Sequence, residues 1–234
     1  MTTISTATQL PGRGDGLDPQ AVLLDMDGTL VDTEHFWWQA EATLFAELGH
    51  ELSEADRMHA VGGPMSRVLD HLIAVTGVTL TPAELTVLVN QRFLDLLADG
   101  VPLMPGAERL LNTLAAHGIP AALVSASHRH VIDIVLEGLG RHHFAFTVAG
   151  DEVARTKPHP DPYLAAVARL GADPSRCVVV EDAPTGVRSA EAAGCPVIAV
   201  PSVAPIDPAP GRTVITSLEQ LDLELLRSVV AARV

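Results

Sequence analysis

A chain of 234 residues, 47% hydrophobic and 19% charged, is long enough for one full core or a core carrying a smaller inserted domain, and its composition excludes intrinsic disorder. A formal net charge of −14 excludes nucleic acid and anionic membrane surfaces as main partners, and it obliges any anion-binding site to supply its own local positive charge. Two lone cysteines, Cys177 and Cys195, cannot staple a fold; with no basic, apolar leader and no run of ~18 apolar residues, the expectation is a soluble cytoplasmic protein without membrane contact.

In chain order, residues 1–17 are rich in Thr, Gly and Ser and read as a flexible tail. AVLLD (21–25) is an unbroken apolar run ending in an acid, the pattern of a strand covered on both faces. Only helical periods follow, over residues 33–100. Trp37, Ala40, Leu44 and Leu48 form one stripe. Met65, Val68, Leu69, Leu72 and Ile73 form a second, and Leu85, Leu88, Val89, Phe93 and Leu96 a third, with breaks at Gly62-Gly63-Pro64 and Thr81-Pro82.

Strand-like runs then alternate with helices. The runs are AALVS (121–125), FTVAG (146–150), CVVVE (177–181), VIAV (197–200) and a shorter TVIT (213–216). Helices are predicted over 107–118, from about residue 127 with Val131, Ile134 and Val135 inward, over 162–170, over 184–193, and through LEQLDLELLRSVVAARV at the end. Pro201, Pro205, Pro208 and Pro210 mark a surface loop. This alternation predicts an α/β fold, a doubly wound parallel sheet, with residues 18–32 and 101–234 forming the core and 33–100 an inserted helical cap.

The first strand ends in Asp25-Met26-Asp27-Gly28-Thr29. Alternation points Asp25 and Asp27 the same way, ~7 Å apart, at the strand edge where open α/β sheets bind ligands. Two carboxylates so placed are costly without a cation or a shared proton. Gly28 allows a sharp turn, and Thr29 offers a hydroxyl and a backbone donor. In isolation this segment reads better as a turn with a helix cap.

Ser125, at the tip of the second run, with the N–H groups at Ala126 and Ser127 makes a cradle for phosphate oxygens, although Ser127 also suits a helix N-cap. Lys157, before Pro158, offers local positive charge in a chain whose net charge is −14. Glu181 and Asp182 close a very apolar strand, and a cap role for Asp182 explains one acid but not both. Acids at the tips of strands one and four, if those strands are neighbours, make an oxygen-rich site suited to Mg²⁺.

DMDGTLVDTE, the Ser125 strand tip, TKPHPDPYL and VVVEDAPTGVRSAEAAG resemble, in order, the four motifs of the haloacid dehalogenase superfamily, and within it the phosphatase and β-phosphoglucomutase-like branch. The resemblance covers residues 20–200. It implies a Mg²⁺-dependent phosphatase acting on a small phosphorylated metabolite, with a phosphosugar mutase as the alternative and a non-catalytic regulatory relative as a third reading. It further implies that Asp25 attacks phosphorus and that Asp27 serves as general acid and base. Ser125 and Lys157 would hold the phosphoryl group, with Thr29 and Ala126 lining the same pocket. Asp25, the backbone carbonyl of Asp27, Asp182 and Glu181 would surround the metal. By the same resemblance, Asp27 separates this chain from the dehalogenases and the phosphonate-cleaving members.

The cap is less informative. Phe36, Trp37 and Trp38 either line an entrance or form the cap's own core. Arg67 either clamps a second anionic group or sugar hydroxyl, or is solvated. The mutase pattern places a His where this chain has Trp37, which favours the phosphatase. A monomer or small homo-oligomer is expected.

Overall fold

The computed structural model describes residues 18–53, 56, 65–98, 100–202 and 204–232. The predicted tail and the Gly62-Gly63-Pro64 break lie outside them, as do the side chains of Met65 and Ser66. Among the described residues six strands form, β1 (Ala21–Leu24), β2 (Ala121–Val124), β3 (Phe146–Val148), β4 (Cys177–Glu181), β5 (Val197–Ala199) and β6 (Arg212–Val214). They make one parallel sheet in the order β3-β2-β1-β4-β5-β6. Val22, Leu24, Val178 and Val180 join one buried apolar cluster, while Ala21, Leu23, Cys177 and Val179 join a second. Because successive strand residues face opposite sides, burial on both is what makes the runs unbroken.

Helices α1 (Glu34–Glu47), α2 (Met65–Thr76) and α3 (Pro82–Ala98) are inserted between β1 and α4 (Ala107–Ala116), which leads into β2. Further helices are α5 (Arg129–Leu139), α6 (Asp161–Leu170), α7 (Pro184–Ala192) and α8 (Leu223–Ala231). The insertion's buried residues, among them Leu44, Phe45, Leu72, Leu85 and Phe93, are continuous with the apolar cluster on one face of the sheet. Trp37 stacks on Phe93 with ring centroids 3.8 Å apart, locking α1 to α3. Chain entry and exit are pinned together: Asp32 N–H donates to Pro102 O and Met104 N–H to Leu30 O, both at 2.9 Å.

Several sequence expectations shift by one position. Phe45, Leu97 and Ile132 are buried, whereas Leu88, Leu96 and Ile134 are half-buried at the cluster edge. A period of 3.6 leaves such neighbours nearly degenerate in sequence, and the facing element decides between them. The final helix does not run unbroken from Leu218: a 3-10 turn covers Leu218–Gln220, and the Asp222 carboxylate accepts from Leu225 N–H at 2.8 Å, starting α8 afresh. Cys177 and Cys195 are buried and not joined in a disulfide, and burial pushes the Cys177 thiol up to about 12, leaving it inert. No helix among the described residues is long and apolar enough to cross a membrane.

Candidate active site

Strand β1 lies where the strand order reverses, with β2 and β3 on one side and β4 to β6 on the other. Ligands of open α/β sheets bind beyond the carboxyl ends at such a point. Asp25 sits just past the end of β1 with its N–H on Val180 O, and Ser125 just past β2 with its N–H on Val148 O, each at 3.1 Å. Both backbones are therefore still tied to the sheet while their side chains stand beyond it. Gly28 turns the chain immediately afterwards at φ +78°, and its N–H closes on Val31 O at 2.9 Å. A Cβ there would lie 2.3 Å from Asp182 Oδ2, so glycine is required by both the backbone and the neighbouring acid.

Lys157 is the hub. Its ammonium donates to Asp25 Oδ1 at 2.5 Å, Glu181 Oε1 at 2.6 Å and Val124 O at 2.8 Å, using all three of its hydrogens. Burial works against its charge, but Asp25 and Glu181 outweigh that and hold the ammonium above its ordinary range. Glu181 is equally saturated: Tyr163 Oη donates to Oε1 at 2.7 Å, and the N–H groups of Asp182 and Ala183 reach Oε2 at 3.2 and 3.3 Å. The first turn of α7 rests directly on it, since a Cβ at Gly186 would fall 1.7 Å from Oε1.

Asp27 is held apart from this network. Thr33 Oγ1 donates to its Oδ1 at 2.9 Å, and Ser125 Oγ and Ser127 Oγ donate to Oδ2 at 3.1 and 2.8 Å. Asp25 and Asp27 thus share an edge but not a proton; each carboxylate has its own partners. Hydroxyl rotors turn freely, so the Ser125 and Ser127 hydroxyls can exchange Asp27 for an incoming oxygen ligand.

Asp25, Glu181 and Asp182 each offer a carboxylate oxygen within 4.8 Å of the others. With Lys157 the four groups carry a formal charge of −2, the amount one divalent cation balances. Burial, with the neighbouring acids, leaves Asp25 well above the carboxylate range against the pull of Lys157. Burial raises Asp182 to about 6, although a hydrogen bond from Ser202 pulls the other way. Three hard oxygen donors grouped this closely suit Mg²⁺. Glu181, turned onto Lys157 and Tyr163, is placed to orient the lysine more than to ligate.

Of the other residues singled out in the sequence, Thr29 is buried with its hydroxyl 3.5 Å from Asp182 Oδ1, facing the acidic gap. Ala126 is exposed at the strand tip. Arg67 is exposed on α2. Two expectations are corrected. Ser127 is not the N-cap of α5; that position is His128, and Ser127 serves Asp27. Asp182 does not cap α7, whose N-cap is Ala183; its oxygens take Thr29 and Ser202 instead, the latter at 2.5 Å. Thr33, Tyr163, Ser202 and Gly186 were not singled out. Tyr163 lay within the TKPHPDPYL motif, and Thr33 follows Asp27 by six residues at a helix start, so both carried a signal; Ser202, brought in from the loop after β5, carried none.

A family model for haloacid dehalogenase-like hydrolases matches residues 19–194. Among curated proteins, the chain is 34% identical to the bifunctional riboflavin kinase/FMN phosphatase of Arabidopsis thaliana, over 78% of this chain but only 48% of that longer protein. It is 31% identical to hexitol phosphatase B of Escherichia coli K12, over 78% of this chain and 83% of the relative. Among solved structures, CbbY of Rhodobacter sphaeroides, captured with xylulose-(1,5)bisphosphate, superposes with a TM-score of 0.69 at 27% identity, covering 87% of this chain and 96% of that one.

Proposed function

Because the chain belongs to the haloacid dehalogenase-like hydrolase family and is a phosphatase of that family, we propose that it hydrolyses the phosphate monoester of a small polyhydroxylated metabolite, a sugar or polyol phosphate, with Asp25 as nucleophile. The observation that carries this reading is the 2.5 Å contact of Asp25 with Lys157 beside the acidic gap, next to an Asp27 ringed by hydroxyls.

In this reading Lys157, the Ser125 hydroxyl and the backbone at Ala126 hold the phosphoryl oxygens, Lys157 meeting their charge as the substrate enters. Asp25 forms a bond to phosphorus as the ester P–O bond breaks, and Asp27 gives its proton to the departing alkoxide. Water then attacks phosphorus, passing its proton to Asp27, and the bond to Asp25 breaks to release inorganic phosphate. Thr33 and the two serines orient the Asp27 carboxyl throughout. Asp25, Asp182 and the backbone carbonyl of Asp27 would hold Mg²⁺, which supplies the positive charge that lets a carboxylate approach a phosphate dianion.

Phosphate release from a panel of sugar and polyol phosphates tests this directly. Release from at least one member, abolished by EDTA and restored by Mg²⁺, is expected, with Asp25→Asn lowering kcat by at least ~10⁴-fold. Release that survives EDTA or Asp25→Asn overturns the reading. Interconversion of two phosphosugars without net release identifies a mutase.

A further inference from the structure

Helix α1 carries an acid that its surroundings leave unused. Glu41 is only 9% exposed, yet among the described residues it makes no hydrogen bond or ion pair. It does not stray from the apolar side of the helix. Thr33, Trp37, Glu41 and Leu44 recur at spacings of four, four and three, a single face that packs inward through Ala40, Leu44 and the Trp37–Phe93 stack. The Glu41 carboxylate oxygens keep some contact with solvent while the rest of the side chain is buried, so the charged form is only partly hydrated and no described residue pairs with it. Burial alone raises Glu41 to about 7, with no charged neighbour contributing.

The insertion does satisfy a buried acid where it needs one for structure. Asp56 accepts from Ser53 N–H and Ser53 Oγ at 2.7 and 2.5 Å, and meets the Nε2 atoms of His71 and His50 at 2.5 and 3.2 Å. Glu41 has none of this. Its face of α1 also begins over the reacting centre, because Thr33 at the helix start is the residue that hydrogen-bonds Asp27. Eight residues separate Thr33 from Glu41, ~12 Å along the axis, shortened by the lean of helical side chains toward the N-terminus. A phosphorylated chain of several carbons bridges that distance, whereas inorganic phosphate does not.

We infer that Glu41 is a substrate-selecting residue of the helical insertion, its carboxylate accepting hydrogen bonds from the free hydroxyls of the leaving alcohol. The inference rests on the phosphatase reading above and narrows it: the preferred substrate is a phosphate monoester whose alcohol carries several hydroxyls remote from the phosphate. Such hydroxyls are the donors that would complete Glu41, and a site built to hydrogen-bond them rejects analogues that lack them.

The test compares Glu41→Gln and Glu41→Leu with the wild type on a hexitol phosphate, on its deoxy analogues and on an aryl phosphate without hydroxyls. For the hexitol phosphate, kcat/KM is expected to fall about 10- to 100-fold further than for the aryl phosphate, mainly through KM. The deficit should shrink on the deoxy analogue missing the hydroxyl that Glu41 meets. Because a folding role would make Glu41→Leu melt lower, a higher melting temperature in Glu41→Leu is expected alongside the lost selectivity. Equal losses on hexitol and aryl phosphates, with the wild type active on both, overturn the role of Glu41 alone. A wild type inactive on every monoester overturns the phosphatase reading and this one with it.

Discussion

The strand tips and the helical insertion handle buried charge in opposite ways. At the tips, Lys157 meets three acceptors, Glu181 four donors and Asp27 three hydroxyls, so the network is closed before any substrate arrives. In the insertion, Asp56 is closed in the same manner, but Glu41 stays open on an apolar face. The chemistry is common to every substrate and gains from groups held in place beforehand. Discrimination requires a group that is satisfied only by the right ligand. The difference between the regions is therefore one of when each charge finds its partner.

The largest effect should come from opening the closed network. Lys157→Met leaves Glu181 and Asp25 buried beside Asp182 with no cation among them, raising the formal charge of the cluster from −2 to −3. Losing one member of a buried ion pair costs about 3–5 kcal/mol, which for a domain of this size lowers Tm on the order of 10 °C. Turnover should fall by ~10³-fold or more in addition, since phosphoryl charge loses its fixed counter-ion. A thermal melt of the variant near the wild-type value would show that the lysine is not the keystone of the strand tips.

How far each region was legible in the sequence follows the same division. Asp25, Ser125, Lys157 and the Glu181–Asp182 pair each punctuate an apolar run or a proline step, where local packing gives no reason for a polar or charged group, and all of them converge in the fold. The strand runs themselves were readable because burial on both faces removes polar residues from them. What escaped was set by tertiary approach: Ser202 reaches Asp182 from a distant loop, and Gly186 is small only because Glu181 lies beneath it. Glu41 was invisible for a related reason. One acid in an amphipathic helix looks like a solvated residue until the burial of its face is known.

A middle-sized effect sharpens the chemistry of the tips. Asp27→Asn preserves the side-chain shape, and the amide can still accept from Thr33 while donating to Ser125 or Ser127. Stability should change by less than about 1 kcal/mol. Turnover of alkyl phosphates should fall ~10²- to 10⁴-fold, and that of an aryl phosphate, whose leaving group needs no proton, much less. Equal losses on both leaving groups would remove Asp27 from proton transfer and leave it as a scaffold for the serines.

The smallest effect probes the open charge of the insertion and does not require turnover. Glu41 is raised from 4.5 to about 7 in the folded chain by burial. Between those values the folded state holds its proton and the unfolded state does not, so wild-type stability falls as pH rises from 4.5 through 7. The full penalty above pH 7 is about 3 kcal/mol at most. Glu41→Gln has no proton to lose; its Tm relative to the wild type should therefore be nearly level at pH 5 and several degrees higher at pH 8, measured by scanning calorimetry. A difference that stays flat across this range would mean the carboxylate is already satisfied in the free protein. If the difference grows as expected, a hexitol phosphate at pH 8 should stabilise the wild type more than Glu41→Gln, because only the wild type has an unpaired charge for the ligand to complete.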